Sequence, residues 1–478
     1  MGLANWSLVL GPWSAYEDFP MPTDSHDPIT YAREHEAAAV EQLKAWLAIP
    51  SISRDKEHHT ADMQRAADWL VDALRAAGLE NVAALPTEGF PVVYGDWLHA
   101  PGAPTVLVYG HYDVQPVKPA EWASPPFEPT VRDERLYGRG SADDKGQTFI
   151  HVKAVEALLK TRGHLPINVK FMIEGEEEVG SRSLPAFLTA EAERLAADTV
   201  VISDTSWVAP GVPTINVGLR GGVTLEVTLG GPAADLHSGL YGGSVHNPIL
   251  AAAQIISRLH DEEGRVAVPG FYDRVRELTE EERLHAARIP VTDAHILAET
   301  GAPRLWGEAG YTALERMGMR PTLDVLKFVA GGDAAAIPSS ATFRVATRLV
   351  PDQDPTDIFE SVRDYILAVA PDTVRVSVKR ANVGGPGVVI PPDAPGLDAA
   401  RQALQETFGV VPVFARSGGG IPVVLMFRQQ LGLPSLLMGF GLPDDGLHGP
   451  NEKLDLRQFG GGIETSIRFM QAFGVTSR

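Results

Sequence analysis

The sequence predicts an α/β fold: a mixed, largely parallel sheet flanked by helices, with a smaller α+β module inserted into it. Three observations carry that prediction. Apolar strands alternate with helical periodicity through the N-terminal half. The patterning changes at Gly218-Leu219-Arg220-Gly221-Gly222, after which strands alternate apolar and polar residues as half-exposed strands do. The first pattern then resumes at Leu397. At 478 residues the chain also exceeds what one ordinary core accommodates, so two or more domains are expected. We divide it into an N-terminal arm (1–27), a main domain in two parts (28–220 and 383–478) and the inserted module (221–382).

The arm has an apolar run from Trp6 to Trp13 with no Lys or Arg ahead of it, a poor secretory signal. Gly2 invites acylation, but Trp6 stands where that motif wants Ser or Thr. Val40, Leu43 and Leu47 at helical spacing predict a helix over 34–48, stopped by Pro50. Ala66, Leu70 and Leu74 predict another over 62–77, with Gly78 as C-cap. A strand over 92–94 precedes Thr105-Val106-Leu107-Val108-Tyr109, whose β-branched and aromatic residues lie between Pro104 and Gly110. A helix over 147–161 leads to a strand over 167–173, and a helix over 184–197 to a strand over 199–202. In the module, strands over 223–229 and 342–350 accompany helices over 246–259 and 357–369. Gly384-Gly385-Pro386-Gly387 reads as the return hinge, followed by a helix over 402–408 and a strand over 435–438.

Composition narrows the function. Hydrophobic content of 44% and charged content of 21% are ordinary globular values. A net charge of -20 argues against nucleic acid or an anionic membrane as partner. No stretch approaches the roughly 18 apolar residues of a membrane helix, and we expect a cytoplasmic protein. The chain has 0 cysteines, which removes disulfides, thiolate metal sites and cysteine nucleophiles. Metal chemistry must then use His, Asp and Glu, a donor set suited to zinc, manganese or similar ions.

Such residues recur where predicted strands end. His111 follows the strand over 105–109, at the place where open α/β sheets bind ligands. Asp113 lies two residues on, placed to accept a hydrogen bond from the imidazole and fix its tautomer. Tyr137-Gly138-Arg139-Gly140-Ser141-Ala142-Asp143-Asp144-Lys145-Gly146 opens a helix and reads as an N-cap, an anion loop or a ligand site. It lacks the spacing of a nucleotide phosphate loop. Glu174-Gly175-Glu176-Glu177-Glu178 follows the strand over 167–173. Acidic runs are usually solvated, but like charges at the end of a buried strand repel one another unless a cation neutralises them. Asp204 ends the strand over 199–202, and a loop with Asp444, Asp445, His448 and Glu452 follows the strand over 435–438. Five strand-end sites on one sheet edge are poorly explained by chance. Two divalent ions would need one bridging carboxylate and roughly two more ligands each. Adjacent Glu177 and Glu178 permit one to hold metal and the other to act as general base.

With these motifs the chain resembles the carnosinase, aminoacylase and succinyl-diaminopimelate desuccinylase family of co-catalytic zinc metallopeptidases (metallopeptidase family twenty, clan MH). The matching motifs run from Pro50-Ser51-Ile52-Ser53 to Asn451-Glu452-Lys453. The resemblance implies a catalytic domain with an inserted lid and dimerisation domain, and two divalent ions per subunit, zinc foremost, with Mn²⁺ or Co²⁺ also accepted. It implies that His111 and Asp204 bind one ion, Glu178 and His448 the other, and Asp143 both. Glu177 is the implied general base, and Asp113 orients His111. The resemblance further implies that His237, in Asp235-Leu236-His237-Ser238-Gly239, reaches into the partner's active site of a homodimer to stabilise the oxyanion. Arg348, in Thr347-Arg348-Leu349-Val350-Pro351, is the implied holder of the substrate carboxylate.

Gly110-His111-Tyr112-Asp113-Val114-Gln115-Pro116, Asp143-Asp144 and Gly242-Gly243-Ser244-Val245 look most like the dipeptidase branch. The expected function is therefore hydrolysis of a small peptide amide, most simply a dipeptide, by a two-metal-activated water. An N-acyl amino acid is the alternative substrate, and a metal-binding relative without catalysis the reading from another class. That last reading sits poorly with the presence of Glu177 and all five ligands. Two departures fall where the substrate's ends bind. The Arg-Glu-Gly-Gly-Ser of the branch is here Arg416-Ser417-Gly418-Gly419-Gly420, placing Ser417, Gly418 and Gly419 at the substrate. A Thr expected before the Ile-Pro of the lid is replaced within Ala334-Ala335-Ala336-Ile337-Pro338.

Overall fold

A computed structural model describes residues 27–331, 336–382, 384–418 and 421–476. The expectations for the arm ahead of Asp27, for Ala334 and Ala335 and for Gly419 lie outside the described residues. The main sheet has nine strands. Its centre is parallel, in the order Asn168–Glu174, Thr105–His111, Thr199–Ile202, Ser435–Leu437. Antiparallel strands extend it at both ends. Val92–Trp97 and Glu80–Leu85 follow on one side. On the other side Thr214–Leu219 pairs antiparallel with both Ser435–Leu437 and Val388–Val389, while Val413–Ser417 joins it in parallel. The four central strands therefore all end at one edge, where the ligand-type residues are.

Helices pack on this sheet for reasons visible in their sequences. Lys56–Ala77 starts at Asp55, whose side chain caps the His58 amide, and stops at Gly78 with φ 97. Trp46, Leu70, Leu74, Phe149 and Leu158 are among the side chains this arrangement removes from water, the main drive for the packing. Gly110 admits helix Lys145–Arg162 to the strand end: a Cβ there would lie 2.0 Å from Thr148 Oγ1 and 2.7 Å from Asp144 Oδ2. The single helix expected over 184–197 is two, Leu184–Ala190 and Ala192–Leu195, separated at Glu191.

The inserted chain folds on a second hydrophobic core. A four-stranded antiparallel sheet, in the order Thr322–Ala330, Ser340–Arg348, Thr224–Gly230, Arg375–Arg380, packs against helices Pro248–Ile256 and Pro355–Val369 through Leu225, Val227, Phe343, Ile255, Ile358 and Val362. Three further helices, Glu280–Arg288, Asp293–Thr300 and Ala313–Gly318, precede the edge strand. The two chain crossings meet at glycines: Gly222 N donates to Gly385 O at 2.9 Å, and Gly221 N to Leu349 O at 2.8 Å. A Cβ on Gly221 would stand 2.2 Å from the Gly385 carbonyl, so only glycine permits the close approach. Among the described residues no helix is long and apolar enough to cross a membrane.

Candidate metal centre

His111 closes its strand with a fully buried side chain. Its Nδ1 lies 3.0 Å from the Asp113 carbonyl and 3.4 Å from the Asp113 carboxylate, so the main chain is the nearer acceptor. A proton donated there leaves Nε2 free to ligate a metal, 3.1 Å from Asp143 Oδ1 and 4.0 Å from Asp204 Oδ2. The Asp113 carboxylate instead accepts from the main-chain amides of Glu177 at 3.2 Å and Glu178 at 3.1 Å. Asp113 thus ties the His111 strand end to the tandem glutamates, beyond the imidazole contact expected from sequence.

On the other side of Asp143, Oδ2 lies 2.9 Å from His448 Nε2, which is 3.3 Å from Glu178 Oε2. The side chains form two triads, His111–Asp143–Asp204 and Asp143–Glu178–His448, with the donor atoms of each within 4.8 Å of one another. Asp143 belongs to both and turns a different oxygen to each histidine. Burial, reinforced by Asp143, pushes Glu178 up to about 8. Burial and then Asp143 and Asp144 hold Asp204 well above the usual carboxylate range. Burial opposes a charged His111, yet the Asp113 and Asp143 carboxylates keep it well above its ordinary value. Anions crowded out of water are costly unless cations compensate them. Nitrogen and oxygen donors in two triads sharing a carboxylate fit two divalent ions.

A layer of buried groups holds these donors. Glu452, which carries ligand chemistry in the sequence, is fully buried and belongs to neither triad. It accepts from the amides of Gly140, Ala142 and Asp143 at 3.1, 3.0 and 3.0 Å and from Arg139 Nη1 at 2.5 Å. Pairing of Lys453–Asp455 with Arg135–Tyr137 brings it there. Arg139 Nη2 reaches the Gly449 carbonyl at 3.0 Å, and Lys453 Nζ pairs with Asp445 at 2.8 Å, so the loops bearing Asp143 and His448 are bound together. His448 itself holds φ 60, a left-handed backbone uncommon outside glycine. Gln115 Nε2 donates to Glu178 Oε2 at 2.5 Å. Sequence reasoning gave Arg139 and Gln115 no role and counted Glu452 among the ligand-type residues, where the structure makes it a clamp instead. Their one available signal was polarity inside ligand-bearing motifs.

Glu177 sits beside the cluster, half-buried, with its pKa raised by burial and then by Asp113 and Asp143 against the pull of His111. His237 is exposed in the short strand Leu236–His237, which pairs with Ala336–Ile337, and its Nδ1 accepts from the Gly239 amide at 3.0 Å. Among the described residues no hydrogen bond or ion pair joins it to the ligands. Arg348 ends its strand exposed. It neighbours Arg220, which burial and then Arg348 bring down to about 10. Arg220 Nε donates to the Gly418 carbonyl at 3.2 Å, one residue beyond Ser417 at the end of Val413–Ser417. The structure therefore gathers Arg348, Arg220, Ser417 and Gly418 at the crossing between domain and module. Arg220 entered the sequence reading only as part of a boundary.

A family model, Peptidase family M20/M25/M40, matches residues 107–472. A Cys-Gly metallodipeptidase of Candida albicans is 33% identical, with 91% of this chain and 94% of that protein covered. The crystal structure of human carnosine dipeptidase 1 superposes with a TM-score of 0.82 at 28% identity, covering 94% of this chain and 98% of that one. An M20 family metallo-carboxypeptidase from Sulfolobus solfataricus gives a TM-score of 0.80 at 30% identity, covering 91% and 99%.

Proposed function

The chain belongs to peptidase family M20/M25/M40, and from that premise we propose that it is a dipeptidase working with two zinc ions. It is a metal-dependent hydrolase of the dipeptidase type. The observation that carries the reading is Asp143, whose two oxygens face separate triads. In this reading His111, Asp143 and Asp204 hold one ion and Asp143, Glu178 and His448 the other. Zn²⁺ is the ion we favour; Mn²⁺ and Co²⁺ accept the same donors. Divalent ions held there supply Lewis acidity toward the scissile carbonyl and make water acidic enough to lose a proton near neutrality.

Glu177 takes the proton from the attacking water and delivers it to the leaving amine. Its raised pKa suits a base that must also act as acid. Asp113 fixes the main chain under Glu177 and Glu178 and holds His111. Arg348 takes the C-terminal carboxylate of the substrate, and Ser417, Gly418 and Gly419 line its other end.

The module, 221–382, is in this proposal a lid and the dimer interface. Its edge strand Thr322–Ala330 exposes Leu326, Phe328 and Val329, an open edge that pairing with a second copy would cover. His237 then serves the partner subunit, donating to the tetrahedral oxyanion, which accounts for its exposure within one chain. The acidic, cysteine-free composition supports a cytoplasmic place. One observation favours N-acyl amino acids as a second reading: Ser417 offers no carboxylate to a free amine. Hydrolysis of unblocked dipeptides beside N-acetyl and N-succinyl amino acids tests the choice. Cleavage of dipeptides alone is the expected result, and cleavage of acylated substrates alone would replace the dipeptidase reading with the second.

A further inference from the structure

At the root of the module lies a cavity of about 300 Å³, walled by Arg220, Arg316, Arg320 and Trp306. Arg320 is neutralised: Nε and Nη2 donate to the Glu308 carboxylate at 2.9 and 2.8 Å. Arg220 and Arg316 have no ion-paired carboxylate among the described residues. Arg220 donates to the carbonyls of Gly418, Arg316 and Arg320 at 3.2, 3.3 and 3.3 Å. Arg316 donates to those of Glu308 and Tyr311 at 3.3 and 2.9 Å. Carbonyls satisfy donors without cancelling charge. Arg348, the neighbour of Arg220, also has no carboxylate within ion-pair distance among the described residues. The remaining acid of the wall, Asp324, is exposed. Asp324 acts on Arg220 only at longer range, so three guanidinium groups without an ion-paired carboxylate among the described residues stand near one another in a chain of net charge -20.

We infer that this cavity receives a carboxylate side chain on the C-terminal residue of the substrate, so that dipeptides ending in Glu or Asp are preferred. The inference rests on the dipeptidase reading and deepens it. Arg220 makes the connection, since it lines the cavity, touches Gly418 and neighbours Arg348. With Arg348 on the main-chain carboxylate, a side chain of the same residue enters beside Arg220. Guanidinium forks match a carboxylate there, and Trp306 offers its methylene stem an apolar wall.

The test compares Ala-Glu with its isostere Ala-Gln on the metal-loaded enzyme. KM for Ala-Glu is expected to be about tenfold lower with kcat similar, the size of one charge-assisted hydrogen bond. Arg316→Gln should bring the two KM values together, while Arg316→Lys should keep most of the difference. Two dipeptides cut with equal KM by the native enzyme, or an unchanged ratio in a folded Arg316→Gln, would overturn the assignment. Equal KM together with glutarate altering Ala-Gln turnover would give the cavity to a free anion and overturn it as well. Failure to cut either dipeptide would instead sink the dipeptidase reading, and this inference with it.

Discussion

At the sheet edge the donor side chains are caught from behind. His111 is held by the Asp113 carbonyl, Glu178 by Gln115, and the backbone under Asp143 by Glu452. On the module, His237 and Arg348 are exposed, and their expected partners are a substrate and a second chain. The two regions divide the work. The metal donors are arranged within one chain, whereas in the proposed dimer substrate recognition waits on how module and partner meet. Fixing the first in advance lowers the cost of organising charge during reaction, and leaving the second open admits the substrate.

The comparison breaks most visibly at Asp143. Asp143→Ala should take both ions from the protein and abolish hydrolysis. Elemental analysis returning two ions per chain would remove it from the bridging role. Glu177→Gln should keep both ions and slow turnover by roughly 10²–10⁴-fold, and a near-native rate would leave the proton transfer to another group. The module side is tested by His237→Ala, expected to lower kcat roughly a hundredfold with metal content unchanged. Mixing that variant with Glu177→Gln should regain part of the rate, because one intact site forms in the mixed dimer. Failure to regain any would confine His237 to its own chain.

Smaller effects sharpen the picture of the buried layer. Glu452→Gln keeps the shape but weakens the clamp, and should cost roughly tenfold to a hundredfold in metal affinity, read by chelator competition. His151 lies deeper, between Ser466 at 2.9 Å and Ser203 at 2.7 Å, behind Asp204. Burial brings its pKa down from 6.5 to about 4, so the fold holds it neutral. Its contribution is whole above 6.5 and is lost as pH falls toward 4, because the unfolded chain takes up the proton first. The loss reaches roughly 3 kcal/mol at most. His151→Gln should flatten that part of the Tm-against-pH curve. An unchanged slope would place the acid sensitivity elsewhere.

Local signals account for much of what the sequence made legible. Gly78 marks a helix end and the run before His111 marks a strand, both through preferences of neighbouring residues. His111, Glu178, Asp204 and His448 were readable because each comes after a strand that the apolar pattern identifies, and Asp143 because its glycine-rich loop opens a helix. What escaped depends on distant pairing. Nothing near Glu452 announces that Lys453 pairs with Tyr137 and so turns a candidate ligand into a clamp. Likewise Arg220 touches residues nearly a hundred or two hundred positions away, and no local pattern reports such contacts. The short helices over 280–318 also went unread: the Thr279–Glu282 and Thr312–Glu315 capping boxes are local start signals, but too few apolar residues follow them to mark a helical face.

In the proposed reading one shared carboxylate assembles two ions for peptide hydrolysis. Its most direct test is titration of metal-stripped protein with Zn²⁺, following bound metal and dipeptide cleavage together. Cleavage should rise as uptake approaches two ions per chain and vanish again with chelator. Full cleavage by the stripped protein under chelator, or saturation at one ion, would contradict the account.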